Sequence, residues 1–212
     1  MKIFAVGMNY AAHKQELKKL QIGDRSQKDP VIFTKADSAL LKPGRPFFVP
    51  DDMGRIDYEA ELVIRICRLG KNIPERFAHR YYDAVTVGID FTARDMQRQA
   101  SEAGLPWTIC KGFDGSAAIG EWLPVIHAED TGGAAFDYRF HLDKNGETVQ
   151  QGCSMNMIHN VDQLISYISR FFTLKTGDLL YTGTPAGVGP VAIGDHLEGW
   201  IGEQRVLDLN CR

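Results

Sequence analysis

The sequence predicts a mainly β fold of the α+β class, a mixed roll or sandwich with a few short helices. Many short segments have strand patterns, and in Ile56–Cys67 apolar and polar side chains alternate strongly. Asn145-Gly146 lies between two such segments, and this dipeptide favours a type I′ hairpin turn. Helical patterns are too few to alternate with the strands, which argues against a doubly wound sheet.

The predicted elements form one domain over residues 1–212, and a hydrophobic content of 44% is enough for one sizeable core. Strands are predicted at Lys2–Val6, Val31–Lys35, Phe47–Val49, Ile56–Cys67, Ala84–Asp90, Phe136–Asp143, Thr148–Gln151 and Leu179–Thr182. Helices are predicted at Tyr10–Leu20, Ala93–Ala103 and Val161–Phe172, and a mobile, polar loop at Ile22–Asp29.

The last two helices carry terminal signals. Gly104 and then Pro106 follow Ala93–Ala103, and both residues commonly end helices. Asn160 precedes Val161–Phe172, and its spacing to Gln163 resembles a capping box. These signals give both helices defined ends.

Composition and motifs argue against several function classes. The net charge of −3 gives no reason to expect nucleic acid or an anionic membrane as a partner. No apolar run is long enough to span a bilayer, so a cytoplasmic protein is expected. The four cysteines form no Cys-x-x-Cys pair and are expected to be buried free thiols. The chain also lacks a P-loop ending, a dinucleotide fingerprint, a nucleophile elbow and a His-Glu-x-x-His motif.

Two glutamates on one strand suggest a metal site. Ile56–Cys67 alternates and predicts a half-buried strand, on which Glu59 and Glu61 project from the same face. Two such close carboxylates repel unless a cation lies between them, and oxygen ligands suit Mg²⁺, Mn²⁺ or Ca²⁺. Asp90, at the end of the next predicted strand, could be a third ligand. The alternative is a solvated strand face without function.

Three further patterns suggest catalytic groups. His13 and Glu16 lie three residues apart on a predicted helix, where a carboxylate can orient a histidine base. Arg94 and Gln97 have the same spacing and could bind a carboxylate and a carbonyl. Lys111 stands in a mixed apolar context. The alternatives are exposed helix faces for both pairs and a lysine whose charged end reaches solvent.

The ordered motifs resemble the fumarylacetoacetate hydrolase family, and most closely its acylpyruvase and oxaloacetate decarboxylase branch. The segments that carry the resemblance are VGMNYAAH at 6–13, DYEAEL at 57–62, GIDFTARD at 88–95, GLPW at 104–107, KGFD at 111–114 and TGTPAGVG at 182–189. Each is modest alone, but they occur in family order along nearly the whole chain. Their ordered occurrence favours the functional interpretations over the alternatives above.

The resemblance implies a role for nine residues. They are the metal ligands Glu59, Glu61 and Asp90, the mechanistic His13 and Glu16, the active-site Lys111, and the substrate-contacting Arg94, Gln97 and Thr184. It also implies a mixed β-roll, a lid at about residues 9–30, a homodimer, and Mg²⁺ or Mn²⁺ as cofactor, with Ca²⁺ possible in crystals.

The expected partner is a small 2-oxo acid. Such an acid can chelate a metal through its carboxylate and keto oxygens, so that an enolate is stabilised when the neighbouring bond breaks. The expected reactions are C–C bond hydrolysis of acylpyruvates and decarboxylation of oxaloacetate. The alternatives are an isomerase or tautomerase of 2-oxo or 2-hydroxy-dienoic dicarboxylic acids, and a non-catalytic metal-binding module of the same fold.

Overall fold

The computed structural model describes residues 1–13, 29–126 and 136–212. Within them the strands are Ile3–Gly7 (β1), Val31–Lys35 (β2), Leu40–Leu41 (β3), Ile56–Tyr58 (β4), Ala60–Ile66 (β5), Tyr82–Asp90 (β6), Thr92–Ala93 (β7), Ala117–Ile119 (β8), Leu123–Pro124 (β9), Arg139–Lys144 (β10), Glu147–Cys153 (β11), Leu179–Tyr181 (β12), Gly189–Pro190 (β13), His196–Ile201 (β14) and Gln204–Asn210 (β15). The α-helices are Arg94–Glu102 (α1), Thr108–Gly112 (α2) and Val161–Phe171 (α3), with 3-10 turns at Asp37–Ala39, Glu75–Tyr81 and Ser154–Asn156. The prediction of a mainly β chain with few short helices is confirmed.

The described strands form three sheets. A mixed sheet has the order β2-β1-β12-β5-β6-β8-β3, with β9 beside β6. Its β1–β12 and β3–β8 pairs are parallel and the other pairs antiparallel. The second sheet, β11-β10-β14-β15, is antiparallel, and the third is β13-β4-β7. Gly199 of β14 lies so close to Val87 of β6 that a β-carbon there would come within 2.8 Å of Val87 Cγ1. The first two sheets therefore pack closely through β6 and β14.

The central strand β5 is buried on both faces. Ile56–Cys67 is not the single half-buried strand expected from its alternation. The strand is interrupted at Glu59, so that β4 and β5 lie in different sheets. Leu62 belongs to the main hydrophobic cluster on one face of β5, and Val63 to a second cluster on the other. Since apolar side chains cover both faces, the acidic residues of this segment lie inside the protein.

Most other predicted elements are found within a few residues of their predicted ends. Asn160 and Gln163 form the expected capping box of α3, and Gly104 follows α1 with a φ of +67°. Asn145 and Gly146 both have positive φ, as a type I′ turn requires, although the hairpin begins at Arg139 instead of Phe136. Residues 22–28 of the predicted loop Ile22–Asp29 and residues 14–20 of the predicted helix Tyr10–Leu20 lie outside the described residues, while residues 11–13 are helical.

Two local predictions are wrong. Phe47–Val49 is not a strand, because Phe47 makes only one isolated bridge, to Cys211. The next N–H group on the bridged side, that of Arg45, donates to Lys42 O within its own turn and does not extend the ladder. The free thiols are buried only at Cys110 and Cys211. Cys67 and Cys153 are partly exposed, because both lie at strand ends near the surface.

Among the described helices, none is both long and apolar enough to cross a membrane.

Candidate active site

Three carboxylates converge where β4, β5 and β6 meet. Glu59 occupies the break between β4 and β5, Glu61 is the second residue of β5, and Asp90 ends β6. The antiparallel β5–β6 register pairs Ala60 with Ile89, and Asp90 N donates to Glu59 O at 2.8 Å. One oxygen from each carboxylate lies within 4.8 Å of the others, and all three side chains are buried. The solvated-face alternative is therefore wrong.

Lys111 lies between two of these carboxylates. Its Nζ donates to Glu59 Oε2 at 2.7 Å, Asp90 Oδ2 at 2.8 Å and Thr92 Oγ1 at 2.6 Å. The lysine is 3% exposed, so its charged end does not reach solvent. Burial alone would lower the pKa of Lys111, but the attraction of Asp90 and Glu59 outweighs it and raises this pKa. Lys111 is a fixed positive charge inside the cluster.

Arg94 and Gln97 are also buried, which contradicts the exposed-face alternative. Arg94 Nη2 donates to Glu59 Oε1 at 2.6 Å, Nε donates to Asp57 Oδ2 at 2.8 Å, and Nη1 donates to Gln97 Oε1 at 2.6 Å. Helix α1 begins at Arg94 immediately after β7, and this brings its first turn to the carboxylates. Arg94 orients Glu59 and Gln97, while the Gln97 side chain faces the cavity.

The two glutamates have opposite electrostatic environments. Burial would raise the pKa of Glu59, but Lys111, Arg94 and His13 together hold it well below the usual range. Burial, followed by repulsion from Asp90 and Glu59, raises the pKa of Glu61 well above its ordinary value. Glu61 is therefore the member of the cluster with the least compensated charge.

A second buried lysine, which the sequence analysis did not select, contacts the cluster from the other side. Lys35 Nζ lies 2.6 Å from Asp90 Oδ1 and donates to Ser116 O at 3.1 Å and to Lys111 O. Asp90 Oδ1 receives this ion pair but no hydrogen bond of normal geometry. Burial lowers the pKa of Lys35 and repulsion from Lys111 adds to this, against the attraction of Asp90. The only sequence signal for Lys35 was its place at the end of the predicted short strand Val31–Lys35.

The loop after β12 closes the site. Gly183 N donates to Glu61 Oε2 at 2.6 Å. Gly183 has a φ of +100°, and a β-carbon there would lie 2.7 Å from Asn9 Cβ, so glycine is required for this approach. Thr184 Oγ1 donates to Ala60 O at 2.8 Å, which fixes its hydroxyl at the cavity wall.

Gln150 of β11 supports that loop from the second sheet and was also missed by the sequence analysis. Its Nε2 donates to Thr184 Oγ1 at 2.9 Å and to Pro185 O at 3.0 Å. Its Oε1 accepts from Ala60 N at 2.8 Å. A glutamine in an otherwise polar hairpin strand gives no sequence signal of this position.

The site cavity is small, about 10 Å³, and this is close to the volume that one water molecule needs. Its polar lining residues are His13, Glu59, Glu61, Asp90, Gln97, Lys111 and Thr184, and His13 is buried. Phe33 and Trp107 also line it. The structure thus brings together eight of the nine predicted residues, while Glu16 lies outside the described part of the chain.

The donor set fits a hard divalent cation. Three buried carboxylates supply only oxygen atoms, and one oxygen of each lies within 4.8 Å of the others. A second group, His196, Glu198 and Asp208, lies near the surface, where Arg205 already pairs with both of its carboxylates. Among the described residues the buried cluster is therefore the better cation site.

Comparisons with known proteins agree with this geometry. The family model for the fumarylacetoacetate (FAA) hydrolase C-terminal domain matches residues 2–208. The mitochondrial oxaloacetate tautomerase FAHD1 of Arabidopsis thaliana is 40% identical over 200 residues, which are 94% of this chain and 86% of that protein.

Two solved structures are similar over the whole chain. Fumarylpyruvate hydrolase from Pseudomonas aeruginosa, in complex with Mn²⁺ and pyruvate, has a TM-score of 0.88 at 35% identity, covering 100% of this chain and 89% of that one. The 2-hydroxyhepta-2,4-diene-1,7-dioate isomerase from Mycobacterium marinum has a TM-score of 0.81 at 31% identity, covering 99% and 73%. Since the family model spans nearly the whole sequence and the fold agrees, this chain belongs to the fumarylacetoacetate hydrolase family.

Proposed function

We propose that this protein is a divalent-metal-dependent enzyme that hydrolyses the C–C bond of acylpyruvates and decarboxylates oxaloacetate. The observation that carries the proposal is the convergence of Glu59, Glu61 and Asp90 around a small cavity that His13 also lines. A structural cation site would not need a buried histidine beside it. This argues against the non-catalytic binding module.

In this proposal Glu59, Glu61 and Asp90 hold Mg²⁺ or Mn²⁺. The presence of Mn²⁺ in the structure of the similar fumarylpyruvate hydrolase supports the choice of a divalent cation. When bound, the cation would supply Lewis-acid polarisation of the carboxylate and keto oxygens of a 2-oxo acid. Lys111 balances the charge of Glu59 and Asp90, which favours the ionised form of these two buried carboxylates.

His13 is the proposed base. It is 3% exposed and lines the cavity, so a water molecule held there is within its reach. His13 takes a proton from water as the oxygen adds to the distal carbonyl carbon of the acylpyruvate. The C–C bond then breaks, the acyl group leaves as a carboxylic acid, and the bonding electrons and a proton pass to the methylene carbon of pyruvate. The predicted orientation of His13 by Glu16 stays a prediction.

Arg94, Gln97 and Thr184 position the reactants. Arg94 is occupied by Asp57, Glu59 and Gln97, so we assign it to orienting Gln97. Gln97 uses its oxygen for Arg94, which leaves its amide N–H groups to donate to the substrate.

A second candidate function is tautomerisation of oxaloacetate. The support for it is the name of the Arabidopsis relative, an oxaloacetate tautomerase 40% identical to this chain. The same base would move a proton between carbon and oxygen without adding water.

The homodimer that the family resemblance implies stays a prediction, which light scattering on the purified protein would check.

Parallel assays separate these reactions. Wild type and His13→Ala are incubated with acetylpyruvate and oxaloacetate, in Mg²⁺ or Mn²⁺ and with a chelator. We expect chelation to remove all activity, and His13→Ala to lower hydrolysis by about 10²–10⁴-fold, the usual general-base contribution. Decarboxylation, which needs no activated water, should fall less. His196→Ala, a partly exposed histidine outside the site, is the matched control.

Two results would contradict the proposal. Full activity in chelator would exclude the metal. Rapid tautomer exchange of oxaloacetate, with neither cleavage nor decarboxylation in wild type, would favour the second candidate function. Equal loss of hydrolysis and decarboxylation in His13→Ala would show that His13 organises the site as a whole.

A further inference from the structure

An apolar groove lies beside the candidate active site. It is formed by residues 31–34 of β2 and residues 105–108 between α1 and α2, and its volume is about 400 Å³. None of these eight residues has an ionisable side chain, and only its two threonines are polar. Leu105 at its rim is 61% exposed, so the groove is open to solvent on one side.

The groove and the site cavity share two aromatic residues. Phe33 and Trp107 line both spaces. Their ring centroids are 5.8 Å apart in an edge-on arrangement, and Trp107 Nε1 donates to Ser101 Oγ at 3.1 Å, which holds the indole in place. Gly7 lines the site cavity, and a β-carbon there would lie 3.4 Å from Trp107 and 3.6 Å from Val31, two residues of the groove. The groove is therefore next to the site.

The volumes of the site cavity and of the groove limit where most atoms of a bound substrate can lie. The cavity among the carboxylates, at about 10 Å³, accepts little more than an ion or a water molecule. The remainder of a bound 2-oxo acid has to lie outside this cavity, and Phe33 and Trp107 connect the cavity with the groove. The groove of about 400 Å³ has room there for several methylene groups.

The charge distribution favours an uncharged substituent in this groove. Among the described residues lining the two spaces, only Lys111 and His13 can carry a positive charge. Lys111 is bound to Glu59, Asp90 and Thr92. A carboxylate at the far end of a substrate would thus lose its hydration against apolar side chains. No cationic residue among the described lining residues of the groove would pair with it.

We propose that the substrates are acylpyruvates with an unbranched apolar acyl chain, which lies along the groove over Trp107 and Phe33. This inference rests on the proposed function and specifies its substrate class. Full burial of one methylene group is worth about fourfold in binding. Because the groove is open on one side, we expect about a two- to fourfold rise in kcat/KM per methylene.

The test is a homologous series assayed with Mn²⁺. Acetyl-, butanoyl- and hexanoylpyruvate are compared with analogues of equal length that end in a carboxylate. We expect kcat/KM to rise with chain length and to favour the apolar member of each pair. Leu105→Asp should reduce the hexanoyl-to-acetyl ratio. Ile193→Asp, which changes an isoleucine that is 69% exposed elsewhere on the surface, should leave that ratio unchanged.

A binding measurement separates this inference from the reaction. N-alkyl oxamates, inert mimics of 2-oxo acids, are titrated calorimetrically into the Mn²⁺-loaded protein. Affinity that rises with alkyl length and loses that trend in Leu105→Asp supports the groove, even if no acylpyruvate is cleaved. Cleavage of acetylpyruvate with a flat or falling length dependence, or a preference for carboxylate-ended analogues, would overturn the inference while leaving the proposed reaction intact.

Discussion

Replacing Glu61 with glutamine should stabilise the metal-free protein and abolish its stabilisation by metal. Glu61 Oε2 accepts from Gly183 N, and a glutamine oxygen can keep this bond. The new amide N–H can donate to a neighbouring carboxylate, so repulsion is replaced by a hydrogen bond. The same change removes one anionic oxygen ligand from the proposed site.

The expected size follows from the geometry. Two unit charges 4.8 Å apart repel by roughly 3.5 kcal/mol at an effective dielectric constant of about 20. Lys111 and Lys35 offset most of this, so we expect a net gain of about 1 kcal/mol in the metal-free variant. For a chain of 212 residues this raises Tm by about 2–4 °C. Metal at 100 times its Kd stabilises wild type by about 2.7 kcal/mol, or about 5–11 °C.

Thermal unfolding with chelator and with excess Mn²⁺ provides the measurement. Glu198→Gln, in the surface cluster, is the matched control and should keep the full metal shift. A metal-free Glu61→Gln variant that melts below wild type would refute the repulsion argument. A variant that keeps the wild-type metal shift would refute the assignment of Glu61 as a ligand.

Three further predictions concern the same cluster. The pKa of Glu61 in the folded protein is raised above its ordinary value of 4.5, so between these two values the folded state binds more protons than the unfolded state. The stability of the metal-free protein should therefore fall as pH increases from about 4.5 through the raised value. The Mn²⁺ affinity measured by calorimetry should rise over the same range, because the proton and the metal compete for Glu61. Lys35→Met leaves Asp90 with one cation fewer and should destabilise the metal-free protein by about 3–5 kcal/mol in denaturant unfolding, with part of the loss restored by Mn²⁺. Gly183→Ala places a β-carbon against Asn9 at a φ that is strained for alanine. It should therefore lower the free energy of unfolding by more than about 1 kcal/mol and weaken Mn²⁺ binding. An unchanged Mn²⁺ affinity would show that the loop does not hold Glu61.

The sequence predicts the local elements of the fold well. The hairpin at Asn145-Gly146, the cap at Asn160 and the helix end at Gly104 depend on neighbouring residues, and the structure contains all three. The break at Glu59 was not predicted, because it follows from pairing with distant strands. The alternation of Ile56–Cys67 is the same whether one face or both are covered.

The candidate site was only partly predictable. Glu59 and Glu61 have a strand spacing that is visible in the sequence, and Asp90 ends a clear strand. Lys35 and Gln150 lie far from these residues in sequence, and the polar neighbours of Gln150 make it look like an ordinary surface residue. Their roles arise from long-range contacts, to Asp90 and to Ala60, that local spacing does not encode.

The contacts of Gln150 also have a consequence for the order in which the parts of the chain fold. Its side chain joins Ala60, 90 residues earlier, to Thr184, 34 residues later. Loop closure over such separations is slow and depends on both sheets being docked. A growing polypeptide therefore lacks the complete wall of the site until the hairpin and the loop after β12 have both emerged. Partly folded forms of the chain could bring the carboxylates together through β5 and β6 but would lack the wall that Gln150 and Thr184 complete.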